Sequence, residues 1–359
     1  MPAGPRRDII DENEVGVYHC YNRCVRSESL LKDDLKKGPE YEQRKDWLLG
    51  MLTRLAGIFS IDILKYAILD NHLHLILRNR PDLVPKWSKS KVLRRAMQLF
   101  PEKFRRRGWY IEPDAPLPRQ LLENETLIAE MRKRFSRISW LMKVLQERIA
   151  RRSNREDNVV GHFWAGRFKS ERLLDDGAVL ACSMYLDLNQ IRAGMTDRPE
   201  HSKYTSAYDR ICGMAARRKK RRGGGDPAEN LPDRFLAPLH VNGDYPNEDF
   251  AEANLRASNK GLFEMTLEIY LNLLDTVGRM IRTGKRGAIP GNLASIVERI
   301  GLRSERLADC VETYGKWARQ MVGAENNMRQ LAEKTKRKWL QGIGKAGQFF
   351  TSTPASAVS

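Results

Sequence analysis

IDILKYAILDNHLHLILR, residues 61–78, reads as a β-hairpin. Residues 61–69 form a short apolar run, Asp70-Asn71 is turn chemistry, and HLHLILR, 72–78, is a second run of strand length. Side chains alternate faces along a strand. Leu73, Leu75 and Leu77 therefore fall on one face and can join a core, whereas His72, His74 and Ile76 fall on the other. Two imidazoles side by side can share a metal ion. The plainer alternative is a pair of packed, hydrogen-bonded rings.

Outward from the hairpin, GVYHCYNR at 16–23 reads as an earlier strand. Between the two, Trp47, Leu48, Met51, Leu52, Leu55 and Phe59 recur at helical spacing, with Gly57 placed to stop the helix. Residues 80–125, rich in proline and charge, read as an insertion with one short helix near 91–99, and 126–152 as a basic helix. HFWAGRFKSERLL, 162–174, reads as a fourth strand. Asp175 or Asp176 then caps a helix that runs to about Ala193 and is closed by Gly194. Interleaved helices and strands of this kind predict a compact α+β domain, an antiparallel sheet with helices packed on it, over residues 1–212. A basic, Gly-rich linker is expected over 213–240, an all-helical extension over 241–345, and a disordered tail over 346–359. The expected helices of the extension lie near 247–258, 262–282, 292–300, 303–320 and 323–342. Residues 292–318 resemble a helix-turn-helix, with Arg303, Ser304 and Arg306 leading its second helix; an ordinary helical hairpin is the alternative.

Charge narrows the function class. Lys and Arg number 63 against 45 Asp and Glu, a net +18, and a chain this basic usually meets a polyanion, most often nucleic acid. The cations cluster at 91–107, 132–155 and 217–222. Arg23, Arg78, Arg137, Arg167, Lys169 and Arg172 are the candidate phosphate contacts. Trp164, beside Phe163, can stack a base or complete an aromatic core pair. Five cysteines form no disulfide or zinc framework. No apolar run is long enough to span a membrane, and the N-terminus MPAGPRRDIIDENE is polar, without a secretion signal. The expectation is a cytoplasmic, nucleoid-associated protein.

MYLDLNQIRAG, 184–194, supplies further chemistry. Tyr185 and Asn189 are four apart, on one helical face. Asn offers a carbonyl oxygen to a hard cation, and Tyr, with a pKa of about 10, is a weak nucleophile that a metal-held phosphodiester would help.

Taken together, YHCYNR (18–23), NHLHLIL (71–77), GHFWAGRFKS (161–170) and YLDLNQIRAG (185–194) resemble the HUH endonuclease superfamily. More narrowly they are similar to the single-tyrosine insertion-sequence transposases, and most to the REP-associated tyrosine transposases. The resemblance covers roughly residues 15–210. It implies an RNA-recognition-motif-like, ferredoxin-like palm that cleaves and rejoins single-stranded or hairpin DNA through a 5′-phosphotyrosine link. His72, His74 and Asn189 would bind Mg²⁺ or Mn²⁺, Tyr185 would be the nucleophile, and no nucleotide cofactor would be needed. A homodimer is implied by the same analogy. Gln190 stands where the family commonly has proline; as a ligand it is the weaker candidate, being about 100° round the helix from Asn189. His19 on the first strand is a further candidate for lining the cleft. The competing readings are a domesticated, non-catalytic DNA-binding regulator on the same palm, and a metal hydrolase that uses water.

Overall fold

The computed structural model describes residues 8–25, 30–31, 43–109, 112, 115–223, 231–242, 250–281, 311, 314, 321–335, 340 and 342–350. Among them, β1 (Gly16–Arg23), β2 (Ile61–Ile68), β3 (His72–Asn79), β4 (Lys169–Leu173) and β5 (Met321–Val322) form one sheet in the order β2-β3-β1-β4-β5. β3 is antiparallel to β2 and β1, β1 is antiparallel to β4, and β5 joins β4 in parallel. β1 and β2 therefore run in the same direction with β3 between them, and β3 and β4 do so with β1 between them. These are two split βαβ units. The first crossover is α1 (Gln43–Ile58). The second passes through α2 (Lys89–Leu99), α3 (Pro101–Arg105), α4 (Arg119–Leu122), α5 (Glu125–Phe135) and α6 (Ile138–Glu156).

Different helical layers bury the two faces of the sheet. α1 presents Leu48, Leu52 and Leu55 at i, i+4 and i+7, and α6 presents Leu141, Leu145 and Ile149. These pack with Tyr18, Cys20, Leu73, Leu75 and Leu77. Each such leucine contributes roughly 1.5–3 kcal/mol on burial. On the other face, Val17, Leu64, Ala67 and Ile76 meet α7 (Asp176–Asp187), α8 (Asn189–Arg192), α9 (Ser206–Gly223) and α10 (Leu267–Ile281). α11 (Glu325–Lys334) and α12 (Ile343–Phe349) close the same layer with Met328, Ala346 and Phe349.

A bulge in β2 decides which way Lys65 points. The register with β3 slips between Ile63 and Lys65. One extra residue reverses side-chain parity, so Ile61 and Ile63 share the α1/α6 face with Tyr66 and Ile68. Leu64 and Ala67 point the opposite way. Lys65 reaches Asp187 at the end of α7, Nζ to Oδ2 2.8 Å, with both side chains fully buried. The same carboxylate accepts hydrogen bonds from Tyr270 Oη (2.7 Å), Ser206 Oγ (2.7 Å) and the Ala207 amide (3.2 Å). One buried ion pair thus ties β2, α7, α9 and α10 together.

Several expectations need correction. The fourth strand is only Lys169–Leu173, and the preceding Phe163 and Trp164 fold into the core. The basic helix is two helices meeting at Ser136-Arg137. Residues 80–125, expected to hold one short helix, carry α2, α3 and α4, and their Val92, Leu93, Ala96 and Leu121 pack in the core. Gly57 lies inside α1, and its lack of a Cβ admits the Asn254 carbonyl, which a Cβ would meet at 2.3 Å. The expected linker is helix to Gly223, and its later part is packed: Phe235, Leu236 and Leu239 are buried, and Asp233 pairs with Arg217 at 2.9 Å. The extension is not all helical. Residues 250–257 are turns and bends, and β5 lengthens the sheet beside β4. Asp175 caps α7 through Ala178 N (2.8 Å) and accepts from Ala324 N (2.7 Å) with its other oxygen, which binds the extension to the start of that helix. In the expected tail, α12 is ordered and Phe349 and Phe350 are buried. The helix-turn-helix candidate lies outside the described residues apart from Val311 and Tyr314. Among the described residues no helix is long and apolar enough to cross a membrane.

Removing the Asp187 carboxylate leaves a buried, unpaired ammonium. Asp187→Ala should destabilise the protein by about 3–5 kcal/mol in urea unfolding, and Lys65→Met with Asp187→Leu should recover much of that. A second prediction concerns pH. Burial raises the Asp209 carboxyl from 3.8 to about 7, against the hydrogen bond from Tyr66 Oη (2.6 Å). The folded state therefore keeps a proton that the unfolded chain releases, so this group's stability contribution is complete below pH 3.8 and lost as pH rises through about 7. Asp209→Asn should raise the thermal midpoint above about pH 7 and leave it nearly unchanged near pH 4.

Candidate functional site

Register assembles the site. Across β1 and β3, His19 lies opposite Ile76, Tyr21 opposite His74 and Arg23 opposite His72. Across β1 and β4, Glu171 lies opposite His19 and Lys169 opposite Tyr21. Directly opposed side chains share a face, and this one looks toward α7. The rings of His72 and His74 are 4.9 Å apart, edge to face, and His19 stacks on His74 at 5.1 Å. His72 Nδ1 lies 2.6 Å from Asn71 Oδ1, His74 Nδ1 2.8 Å from His19 Nε2, and His19 Nδ1 2.9 Å from Glu171 Oε2.

α7 brings Tyr185 over these rings, 5.6 Å from His74 and 6.3 Å from His19. The phenol and the paired imidazoles, distant in the chain, thus meet on one face. The Arg192 guanidinium sits 5.2 Å over the Tyr185 ring, and Tyr314 packs against its other surroundings at 5.1 Å. Arg192 also donates to the Val311 carbonyl at 3.2 Å. Tyr314 of the extension therefore packs against the half-buried phenol, and Val311 holds the guanidinium that lies over it.

Burial sets the protonation pattern. It lowers His72 to about 4, helped by Arg23, and holds His74 well below the usual histidine value, helped by the charges of His72, His19 and Arg23. For His19 burial also opposes the proton, but Cys182 and Glu171 outweigh it and push the ring up to about 10. His72 and His74 are thus uncharged at neutral pH. Burial raises the Tyr185 phenol above 10.0, against the Arg192 charge, so it carries its proton.

Asn189 opens α8 and is half buried. Its Nδ2 is buried without a hydrogen-bond partner among the described residues. An unmet buried amide costs roughly 1–3 kcal/mol, and with no partner fixing it either end can turn toward an occupant. The structure brings together the paired imidazoles of His72 and His74, while Asn189 opens a separate helix past a break at Leu188 in what the sequence reads as one helix to Ala193. Among the described residues no three His, Cys, Asp or Glu side chains cluster as a metal site, so no ligating carboxylate joins that set. Gln190, the weaker candidate, donates its Nε2 hydrogens to the Lys203 (2.6 Å) and Ile68 (3.3 Å) carbonyls, which anchors α8 to β2.

The candidate phosphate contacts divide. Arg23, Arg167 and Lys169 are exposed, with Arg23 and Lys169 on the histidine face. Arg78 is buried, paired with Asp62 at 2.7 Å and donating to the Gly261 carbonyl, so it braces the fold. Arg172 lies over Tyr18 on the opposite face, 3.8 Å from Glu14. Arg137 pairs with Glu12 at 2.6 Å beside α6, also behind the sheet. Trp164 is buried and donates its Nε1 hydrogen to the Gln146 carbonyl, so it offers no stacking face. Three residues at the site went unread in the sequence: Arg192, Glu171 and Tyr314. Glu171, a lone acid in the basic strand KSERL, was a legible anomaly. Tyr314 carried no signal, because only folding brings it to Tyr185.

Tyr314→Ala should speed nitration of Tyr185 several-fold, as read by mass spectrometry of the modified peptide; an unchanged rate would mean that Tyr314 does not limit access. Comparison of the chain with protein-family models, curated proteins and solved structures finds no match.

Proposed function

We propose that this chain is a divalent-cation-dependent single-strand DNA endonuclease and strand transferase of the tyrosine-HUH kind. The observation that carries the reading is the placement of Tyr185 against the His72–His74 pair, with ring centroids 5.6 Å apart at His74. The order β2-β3-β1-β4 with its two split βαβ units supports the RNA-recognition-motif-like, ferredoxin-like palm that the sequence resemblance implies.

His72, His74 and Asn189 would hold Mg²⁺ or Mn²⁺. Two imidazoles and an amide suit Mn²⁺ better than Mg²⁺, which prefers an all-oxygen shell. A bound cation supplies charge withdrawal from the phosphodiester and the departing oxygen. Arg23, Arg167 and Lys169 would track the strand's phosphates into the site. Tyr185 Oη attacks phosphorus as its proton passes to solvent. The Oη–P bond forms, the P–O3′ bond breaks, and the 3′ oxygen takes up a proton. Arg192, over the ring, stabilises the developing phenolate. The phosphotyrosine bond keeps the energy of the broken one, so a 3′-hydroxyl can attack it in reverse without a nucleotide cofactor.

One observation favours a second reading, a DNA-binding regulator that does no chemistry: Tyr185 is half buried beneath Tyr314 and holds its proton firmly. The two readings separate in one experiment. Incubation with Mn²⁺ and hairpin-bearing single strands should give a covalent protein–DNA adduct on denaturing gels. Tyr185→Phe should abolish it, and His72→Ala or His74→Ala should cut it at least 10-fold, within the range for removing a catalytic group. Binding without any adduct, in both wild type and Tyr314→Ala, would establish the regulator. Cleavage without an adduct would point to water as the nucleophile.

A further inference from the structure

We infer that Glu171 and His19 are positioning residues for the cation site, a hydrogen-bonded chain that leaves His74 one nitrogen to offer. The inference rests on the proposal that His72 and His74 bind a cation.

The geometry leaves little freedom. His74 Nδ1 is taken up by His19 Nε2 at 2.8 Å, and His19 Nδ1 by Glu171 Oε2 at 2.9 Å. His74 therefore has only Nε2 for a ligand. His72 is arranged in parallel, since Asn71 Oδ1 occupies its Nδ1 at 2.6 Å. A cation at His74 Nε2 needs the lone pair there, which puts that ring's one hydrogen on Nδ1. His74 then donates to His19 Nε2, and His19 donates Nδ1–H to Glu171, which as a carboxylate only accepts. Any second proton held by the His19–His74 pair leaves to solvent as the cation enters. Donation from a ligating imidazole toward a carboxylate fixes the ring's tautomer and raises its basicity. Here an intervening imidazole carries that effect one residue further.

The burial of the chain argues that it has a task. His19, Glu171 and His74 are 2%, 4% and 6% exposed, at positions on three adjacent strands where apolar side chains would pack. Buried polar groups left unmet are costly, so each member depends on the next. All three strands must hold their register for Glu171 to reach His74 through His19, and that register also brings His74 to Tyr185.

The test uses the full chain and Mn²⁺ alone, with free Mn²⁺ counted by its paramagnetic resonance signal. His19→Gln carries an amide to the place of Nε2 and can accept from His74. His19→Asn reaches only the place of Nδ1, so it keeps Glu171 and abandons His74. We expect His19→Gln to bind within about threefold of wild type and His19→Asn to bind about 10–100-fold more weakly, with Glu171→Gln between them. Metal-free thermal midpoints of the two His19 variants should agree, which separates positioning from a structural role. Wild-type affinity in His19→Asn, or equal weakness in His19→Gln, overturns the positioning role while leaving the cation site standing. Absence of Mn²⁺ uptake by the wild type overturns the cation reading and this inference with it.

Discussion

The buried ion pair between Lys65 and Asp187 is the constraint on which the site depends. Two charges in the interior are tolerable only when every hydrogen-bonding position is met. Asp187 meets this condition: one oxygen accepts from Lys65 and Tyr270, the other from Ser206 and the Ala207 amide. The aromatic face of Tyr270 also lies 3.8 Å from the Lys65 ammonium. Because Asp187 closes α7, the pair fixes how that helix is rotated on the sheet. Tyr185, two residues earlier and about 200° round the helix, is thereby turned toward β1 and β3. The bulge in β2 is part of the same arrangement, since it swings Lys65 to the α7 side without breaking the apolar pattern on the other.

This constraint makes the C-terminal part a component of the fold. Tyr270 of α10 completes the Asp187 shell, β5 extends the sheet, and Asp175 couples the N-terminus of α7 to Ala324. Both ends of the tyrosine helix are held by residues from late in the chain. So is its cover, for Val311 and Tyr314 sit over Arg192 and Tyr185. Under the proposed function, a strand entering along Arg23 and Lys169 would meet that cover, which would join substrate access to the packing of the extension.

Electrostatically the site is built from neutral donors in a basic setting. His72 and His74 are kept uncharged by burial, Asn189 is an amide, and Arg23 stands next to His72. A dication would find no ligating carboxylate among the described residues; under the proposed function the substrate phosphate would supply the balancing charge. Glu171 reaches His74 only through His19, so its carboxylate lies behind that ring.

What the sequence determined by itself was local. Alternation in HLHLILR separated the leucines from the histidines, because a strand has period two. The spacing of Leu48, Leu52 and Leu55 marked α1, because a helix has period 3.6. A cap at Asp175 or Asp176 and a stop at Gly194 could be read because those roles depend on neighbours a few residues away, and the structure chose Asp175. The motif order linked Tyr185, Asn189 and the histidines only through resemblance. Tertiary structure alone decided which cations are free. Arg78 and Arg23 look alike in the sequence, yet one meets Asp62 and the other meets solvent. It alone brought Glu171 to His19, Tyr314 to Tyr185 and a parallel fifth strand to β4. The physical reason is common to all of these: register and ion pairing join residues far apart in the chain, and no local period encodes which partner arrives.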